Sequence, residues 1–169
     1  SVDRNFADFY QTPPTMTRHL LNKISIDKNK TIQDPCCGQL AIVNVLEEFK
    51  FKKISFSDLN SKQDPRNFLL QKKMFDYSIM NQPFSLALEF IIRCYKLVRY
   101  KFYMLLPLDY LHGLKRYKFE IFRGLESVGI FIRKPMLSNE LRDDGKYKTG
   151  MLSYAWFEFD PNKTDFRNY

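Results

Sequence analysis

The sequence predicts an α/β fold with a mostly parallel sheet whose last strand runs antiparallel, and three observations carry that expectation. Short β-branched and aromatic runs alternate along the chain with amphipathic stretches at helical spacing. The run Lys101-Phe102-Tyr103-Met104-Leu105-Leu106 is almost continuously apolar, as a strand covered on both faces of a parallel sheet must be. Two strand-like runs near the end, residues 127–132 and 151–159, have no helical pattern between them and pair as a hairpin, which supplies the reversal.

Each element has a local reason. Thr12-Pro13-Pro14 reads as a helix start, with Thr12 as the cap, proline in the first turn, and apolar residues following to Leu21. Residues 30–33 form a short strand that ends in the turn Asp34-Pro35-Cys36-Cys37-Gly38. A largely apolar helix runs from Leu40 to Phe49, its wetter face marked by Asn44. Residues 53–57 alternate as a strand running into Asp58, and 65–73 form a short helix. Residues 75–80 are a β-branched and aromatic strand that stops at Asn81-Gln82-Pro83-Phe84, after which Ser85 caps a helix over 86–97. The strand at 101–106 precedes a helix around 109–122, the polar stretch 133–149 is a loop, and Tyr154, Trp156 and Glu158 alternate against Ala155, Phe157 and Phe159 in the last strand. With no linker and no repeat, residues 1–169 read as a single domain.

Hydrophobic residues at 44% and charged residues at 27% are globular proportions that exclude a wholly disordered chain. No apolar run approaches the ~20 residues a spanning helix needs, so no membrane partner is expected. Three cysteines, two of them adjacent, make neither a disulfide framework nor the paired spacing of a zinc site. The expectation is reduced thiols, no metal, and a cytoplasmic or other reducing intracellular compartment. Against 19 acidic residues stand 27 basic ones, a net charge of +8 that suits a polyanion such as nucleic acid. The same lysines also serve as ordinary solubilising residues, so charge alone leaves both readings open.

In open α/β sheets, ligands bind beyond the carboxyl ends of the strands. Three turns fall there: residues 34–38, Asp58, and residues 81–84. A glycine-containing turn before a helix lets backbone N–H groups approach a ligand carboxylate or phosphate, and an acidic residue after the next strand suits ribose hydroxyls. Taken singly, each is also an ordinary turn, and Cys36 and Cys37 read as small buried residues rather than nucleophiles.

Taken in order, Tyr10-Gln11-Thr12-Pro13, Asp34-Pro35-Cys36-Cys37-Gly38 and Asn81-Gln82-Pro83-Phe84 resemble the S-adenosylmethionine-dependent N6-adenine DNA methyltransferases, closest to small phage and prophage members. The likeness continues through residues 81–91, 105–111, 131–135 and 154–157, covering about residues 6–159. It implies the Rossmann-like class I methyltransferase fold and S-adenosyl-L-methionine as cofactor. It also implies roles. Tyr10, Thr12 and Pro13 border the methionine end of the cofactor, Asp34, Cys36 and Gly38 belong to the loop beneath it, Asp58 takes the ribose, and Asp64 takes the adenine amino group. Asn81 and the carbonyl of Gln82 accept hydrogen bonds from the target amine, Pro83 shapes the loop, and Phe84 stacks on the extruded base. Lys115, Arg116, Arg133 and Lys134 read either as phosphate contacts or as solvated charges. The chain departs from the family pattern twice: Leu40 stands where a second glycine is usual, and Gln82 where the first proline of N-P-P-F is usual.

The implied activity is methyl transfer to adenine N6, with DNA favoured over RNA. The alternatives are an RNA adenine methyltransferase, or a noncatalytic copy of the fold that serves as a nucleic-acid-binding or structural subunit. No separate target-recognition domain is expected within these 169 residues, so specificity is expected from loops or from a protein partner.

Overall fold

The computed structural model describes residues 11–57, 67–131, 143 and 153–164. Helix α1 (Pro14–Leu21) leads through β1 (Thr31–Asp34), α2 (Ala41–Glu48) and β2 (Lys53–Phe56) to the single turn α3 (Asn67–Leu70) and β3 (Phe75–Met80). A 3-10 turn, Phe84–Leu86, opens α4 (Ala87–Leu97), which passes directly into β4 (Val98–Pro107). A second 3-10 turn (Leu108–Leu111) and α5 (Leu114–Lys118) then precede β5 (Leu125–Ile130) and β6 (Tyr154–Phe159).

These strands form one sheet in the order β2-β1-β3-β4-β6-β5. The pairs β1–β2, β1–β3 and β3–β4 are parallel, whereas β6 runs antiparallel to both β4 and β5. The Rossmann-like α/β expectation therefore holds, with the reversal in the strand that predicts it. Although β6 follows β5 in the chain, it lies inside the sheet, between β4 and β5.

Alternation divides the interior into two cores. Phe102, Met104 and Leu106 of β4, with Ala155, Phe157 and Phe159 of β6, face α4. Tyr103 and Leu105, with Tyr154 and Trp156, join Met16, Leu20 and Leu21 of α1 and Ile42, Val45 and Leu46 of α2 on the opposite side. Helix α4 forms because Ala87, Phe90, Ile91, Cys94 and Leu97 recur on one buried stripe. Each of its large apolar side chains is worth ~1.5–3 kcal/mol on burial. Trp156 donates its indole N–H to the Met16 carbonyl at 2.9 Å and so ties α1 to the sheet. No helix among the described residues is long and apolar enough to cross a membrane.

Several local expectations are corrected. Neither Thr12 nor Ser85 caps a helix: the cap positions belong to Pro13 and Leu86, and neither makes a side-chain capping bond. The helix expected around 109–122 is broken by Gly113, whose φ of +129° leaves the helical region, and α5 buries none of its five residues. Strand β4 begins at Val98 rather than Lys101, because Val98 leaves α4 already in an extended conformation. Helix α2 begins at Ala41, with Leu40 a left-handed residue before it. The hairpin strands are Leu125–Ile130 and Tyr154–Phe159. Residues 132, 151 and 152 and nearly all of the expected 133–149 loop lie outside the described residues.

Candidate active site

The carboxyl ends of β1 and β3 lie side by side in the sheet, so the turns that follow them meet at one edge. Asp34 closes β1 with its side chain 1% exposed. One carboxylate oxygen, Oδ1, accepts the Cys36 N–H at 3.0 Å, and the other, Oδ2, is buried with no hydrogen-bond partner among the described residues. Burial lifts this carboxyl from 3.8 to about 7, against the opposing pull of the Cys36 N–H. Cys36 is itself buried, and its thiol is pushed up by burial first and by the neighbouring Asp34 next, which keeps it protonated and unreactive.

Ser57 sews this loop to the end of β2. Its N–H donates to the Asp34 carbonyl at 3.1 Å, its hydroxyl donates to the Pro35 carbonyl at 3.1 Å, and its own carbonyl accepts the Cys37 N–H at 3.0 Å. Gly38 takes φ +47° and Leu40 takes φ +66°. Leu40 thus keeps the left-handed backbone that a glycine would adopt freely, at a cost of ~1–2 kcal/mol for a side-chain-bearing residue. Its N–H closes the turn on the Cys37 carbonyl at 2.7 Å and its carbonyl accepts the Asn44 N–H, so the helix starts in register. The leucine side chain is half-buried and belongs to neither core.

The loop after β3 is held from both sides. Asn81, 5% exposed, donates from Nδ2 to the Thr12 hydroxyl at 3.0 Å, which makes Oδ1 the acceptor atom of its amide. Thr12 is therefore a tertiary partner of Asn81 across 69 positions rather than a cap. Gln82, 1% exposed, donates from Nε2 to the Leu105 carbonyl at 3.1 Å, and its Oε1 has no hydrogen-bond partner among the described residues. That bond extends the β3–β4 pairing, which ends at Met80 and Met104, one step beyond the strand. Pro83 is buried and its carbonyl accepts the Leu86 N–H at 3.0 Å, starting the turn that carries Phe84. Phe84 stacks on Tyr154 with ring centroids 5.2 Å apart and planes inclined by 23°.

The structure thus brings Thr12 and Asn81 into contact and sets Pro13 beside them. It places Asp34, Cys36 and Gly38 in one turn at the adjacent strand end, and Gln82, Pro83 and Phe84 in the next. Lys115 and Arg116 stand on α5, where they share a groove with Phe84. Tyr10, Asp58, Asp64, Arg133 and Lys134 lie outside the described residues. One neighbour of the candidate site and one side-chain contact escape the sequence reading. Tyr154 alternates as a strand residue, which gives no sign that its ring backs Phe84, and the role of the Gln82 side chain becomes visible only once β4 lies beside it. Among the described residues, no group of three or more His, Cys, Asp or Glu side chains is placed to hold a metal ion.

The chemistry available is that of a dry edge with oriented acceptors, one buried acid and an aromatic platform. No protein-family model and no curated protein matches the sequence. Solved structures do. The 23S rRNA methyltransferase ErmE is similar over 95% of this chain and 73% of its own, at 8% identity and a TM-score of 0.61. Magnesium protoporphyrin IX methyltransferase from Synechocystis, solved with bound S-adenosylmethionine, is similar over 86% of this chain and 76% of its own, at 15% identity and a TM-score of 0.53. A modification subunit assigned to a type I restriction enzyme of Vibrio vulnificus matches 91% of this chain and 45% of its own, at 15% identity and a TM-score of 0.60. At such identities the likeness speaks for the fold, which is the Rossmann-like methyltransferase fold.

Proposed function

We propose that this methyltransferase-fold chain moves a methyl group from S-adenosyl-L-methionine to the N6 amine of adenine, in DNA first and with RNA as the nearest other substrate. The observation that carries the reading is the Asn81–Thr12 bond. An asparagine amide rotates freely between two orientations in water; here its donor end is occupied, so its acceptor end has one orientation. With the Gln82 main-chain carbonyl it makes a pair of acceptors for the two hydrogens of an exocyclic amine, which sets the direction of the nitrogen lone pair. The nitrogen would gain the methyl as the sulfonium–methyl bond breaks, the neutral thioether would leave, and the one proton lost by the nitrogen would pass to water.

The residues fit the cofactor on one test. Asp34 Oδ2 is a buried oxygen with no hydrogen-bond partner among the described residues, and such an atom is stabilised by a cationic donor such as the amino-acid ammonium of S-adenosylmethionine. Thr12, Pro13, Asp34, Cys36 and Gly38 hold the cofactor in this reading, together with Tyr10, Asp58 and Asp64 beyond the described residues. When bound, the cofactor supplies an already activated methyl group, so the work of the chain is positioning. Phe84, one ring face on Tyr154, offers a base its other face.

Two of these neighbours in fold carry methyltransferase names and the third is named a modification subunit of a restriction enzyme; the rRNA enzyme and the modification subunit support a nucleic-acid substrate. A noncatalytic role is the second reading, favoured by the Leu40 side chain at a position where glycine is usual. The deciding experiment follows labelled methyl from cofactor to adenine-containing DNA and RNA, with cofactor affinity measured in parallel. The wild type is expected to transfer, and Asn81→Ala to lose turnover at least ~10-fold beyond any loss of cofactor affinity. No cofactor binding at millimolar concentration would decide for the noncatalytic reading.

A further inference from the structure

A groove of about 350 Å³ opens beside Phe84, between the start of α4 and the turn into α5. Its apolar lining comes from Phe84, Leu88, Tyr110 and Leu114; Glu89 stands on α4, and Lys115 and Arg116 on α5. The volume falls in the ~300–1,000 Å³ range of small-ligand clefts. Two features are unusual for a surface that only needs to be wetted. Leu114 is 71% exposed next to two cations. The Arg116 guanidinium lies 3.9 Å from the Tyr110 ring centroid and donates to the His112 carbonyl, so a charge that would otherwise sweep through solvent is held in one place. Exposed apolar surface beside a guanidinium fixed on an aromatic ring matches a base with its phosphate.

We propose that this groove seats the nucleotide next to the target adenine in an unpaired strand, its base against the exposed Leu114 and its phosphate at Lys115 and Arg116. The placement beside the target rests on the adenine reading of the Asn81 loop. The occupant is unpaired, because a base within a duplex offers its faces to neighbouring bases rather than to protein. Glu89 sets the direction: a phosphate is repelled from the α4 side, which leaves the α5 side for the backbone.

The test measures binding of roughly 12-nucleotide labelled strands with a single adenine, as DNA and as RNA, unpaired and annealed, at about 50 to 200 mM salt. Lys115→Ala and Arg116→Ala should each weaken binding of the unpaired strand about fivefold and reduce the salt slope by about 0.7. Glu89→Gln should tighten binding about twofold. Leu114→Ser, at an exposed position that leaves folding intact, should weaken binding, and an abasic site next to the adenine should weaken the wild type but not add to the Leu114→Ser loss. The tighter of the DNA and RNA arms identifies the sugar. Unchanged affinity and salt slope in variants that melt like the wild type would overturn the proposal. So would equal losses on the annealed duplex, the mark of a general phosphate patch. Binding needs no methyl transfer, so a chain that binds through this groove without transferring sinks the activity alone. A chain that transfers equally well with all these variants sinks the groove alone.

Discussion

Replacing Asp34 by asparagine separates what this residue does for folding from what it does for a ligand. In the folded chain the carboxyl holds its proton to about pH 7, while in the unfolded chain the proton leaves near 3.8. Between those values the unfolded chain binds fewer protons, so the stability of the wild type falls as pH rises from about 4 to about 7 and is level above. A gap of about 3 pH units at ~1.4 kcal/mol each makes the cost about 4 kcal/mol at pH 8. Asparagine keeps the acceptor for the Cys36 N–H and cannot ionise, so it removes that cost. Chemical denaturation of both proteins from pH 4 to 8.5 should show nearly equal stabilities at the acid end and a growing advantage for Asp34→Asn, reaching ~2–4 kcal/mol. The same variant should bind S-adenosylmethionine at least ~10-fold more weakly, because a neutral amide cannot match an ammonium. In the wild type, binding should release a proton, and affinity should rise with pH up to about 7. A stability difference that does not vary with pH would refute the assignment of a buried, protonated acid at the end of β1.

The remaining predictions concern the two loops. Leu40→Gly should leave stability within ~1 kcal/mol, since relief at the left-handed position offsets the lost chain stiffness, and should tighten cofactor binding; calorimetry against denaturation checks both. Gln82→Met cuts the bond to the Leu105 carbonyl and should cost ~1–2 kcal/mol in denaturation. Turnover should fall at least ~10-fold with little change in cofactor affinity, because the variant frees the carbonyl paired with Asn81. Phe84→Ala should lose ~1–3 kcal/mol of strand binding in an anisotropy titration and ~1 kcal/mol of stability from the broken Tyr154 stack.

Much of the sheet is legible in the sequence because burial on both faces leaves a plain record: β4 reads as a solid apolar run, and β6 as two interleaved sets of side chains. The region after β4 is misread for an equally physical reason. Residues 114–118 are apolar or basic enough to suit a helix, but Gly113 turns the chain, and of residues 114–122 Ile121 and Phe122 are buried in the core while Tyr117 packs against it in part. At the site, the loop after β1 and the loop after β3 are recognisable because an α/β chain must place them at one edge. Thr12 is mistaken for a cap because the local context, a threonine before two prolines, is what a cap looks like. Its partner Asn81 lies 69 positions away, and no local pattern reports such a distance. The second role of Gln82 is hidden for the same reason, since its acceptor sits on a neighbouring strand.

The insertion of β6 between β4 and β5 fixes an order of events during synthesis. When β5 leaves the ribosome, the strand that must separate it from β4 has not yet been made. Until Phe159 emerges, β4 has no hydrogen-bonding neighbour on that side, and Phe102 lacks the ring it stacks on at 4.7 Å. A nascent chain stopped before residue 154 is thus left with two exposed strand edges facing a strand-wide gap, a geometry that invites pairing with another chain. Contacts spanning some fifty residues of sequence make closure of the sheet slow as well as late. Shielding of the nascent chain therefore matters most in the interval between the emergence of β5 and that of β6.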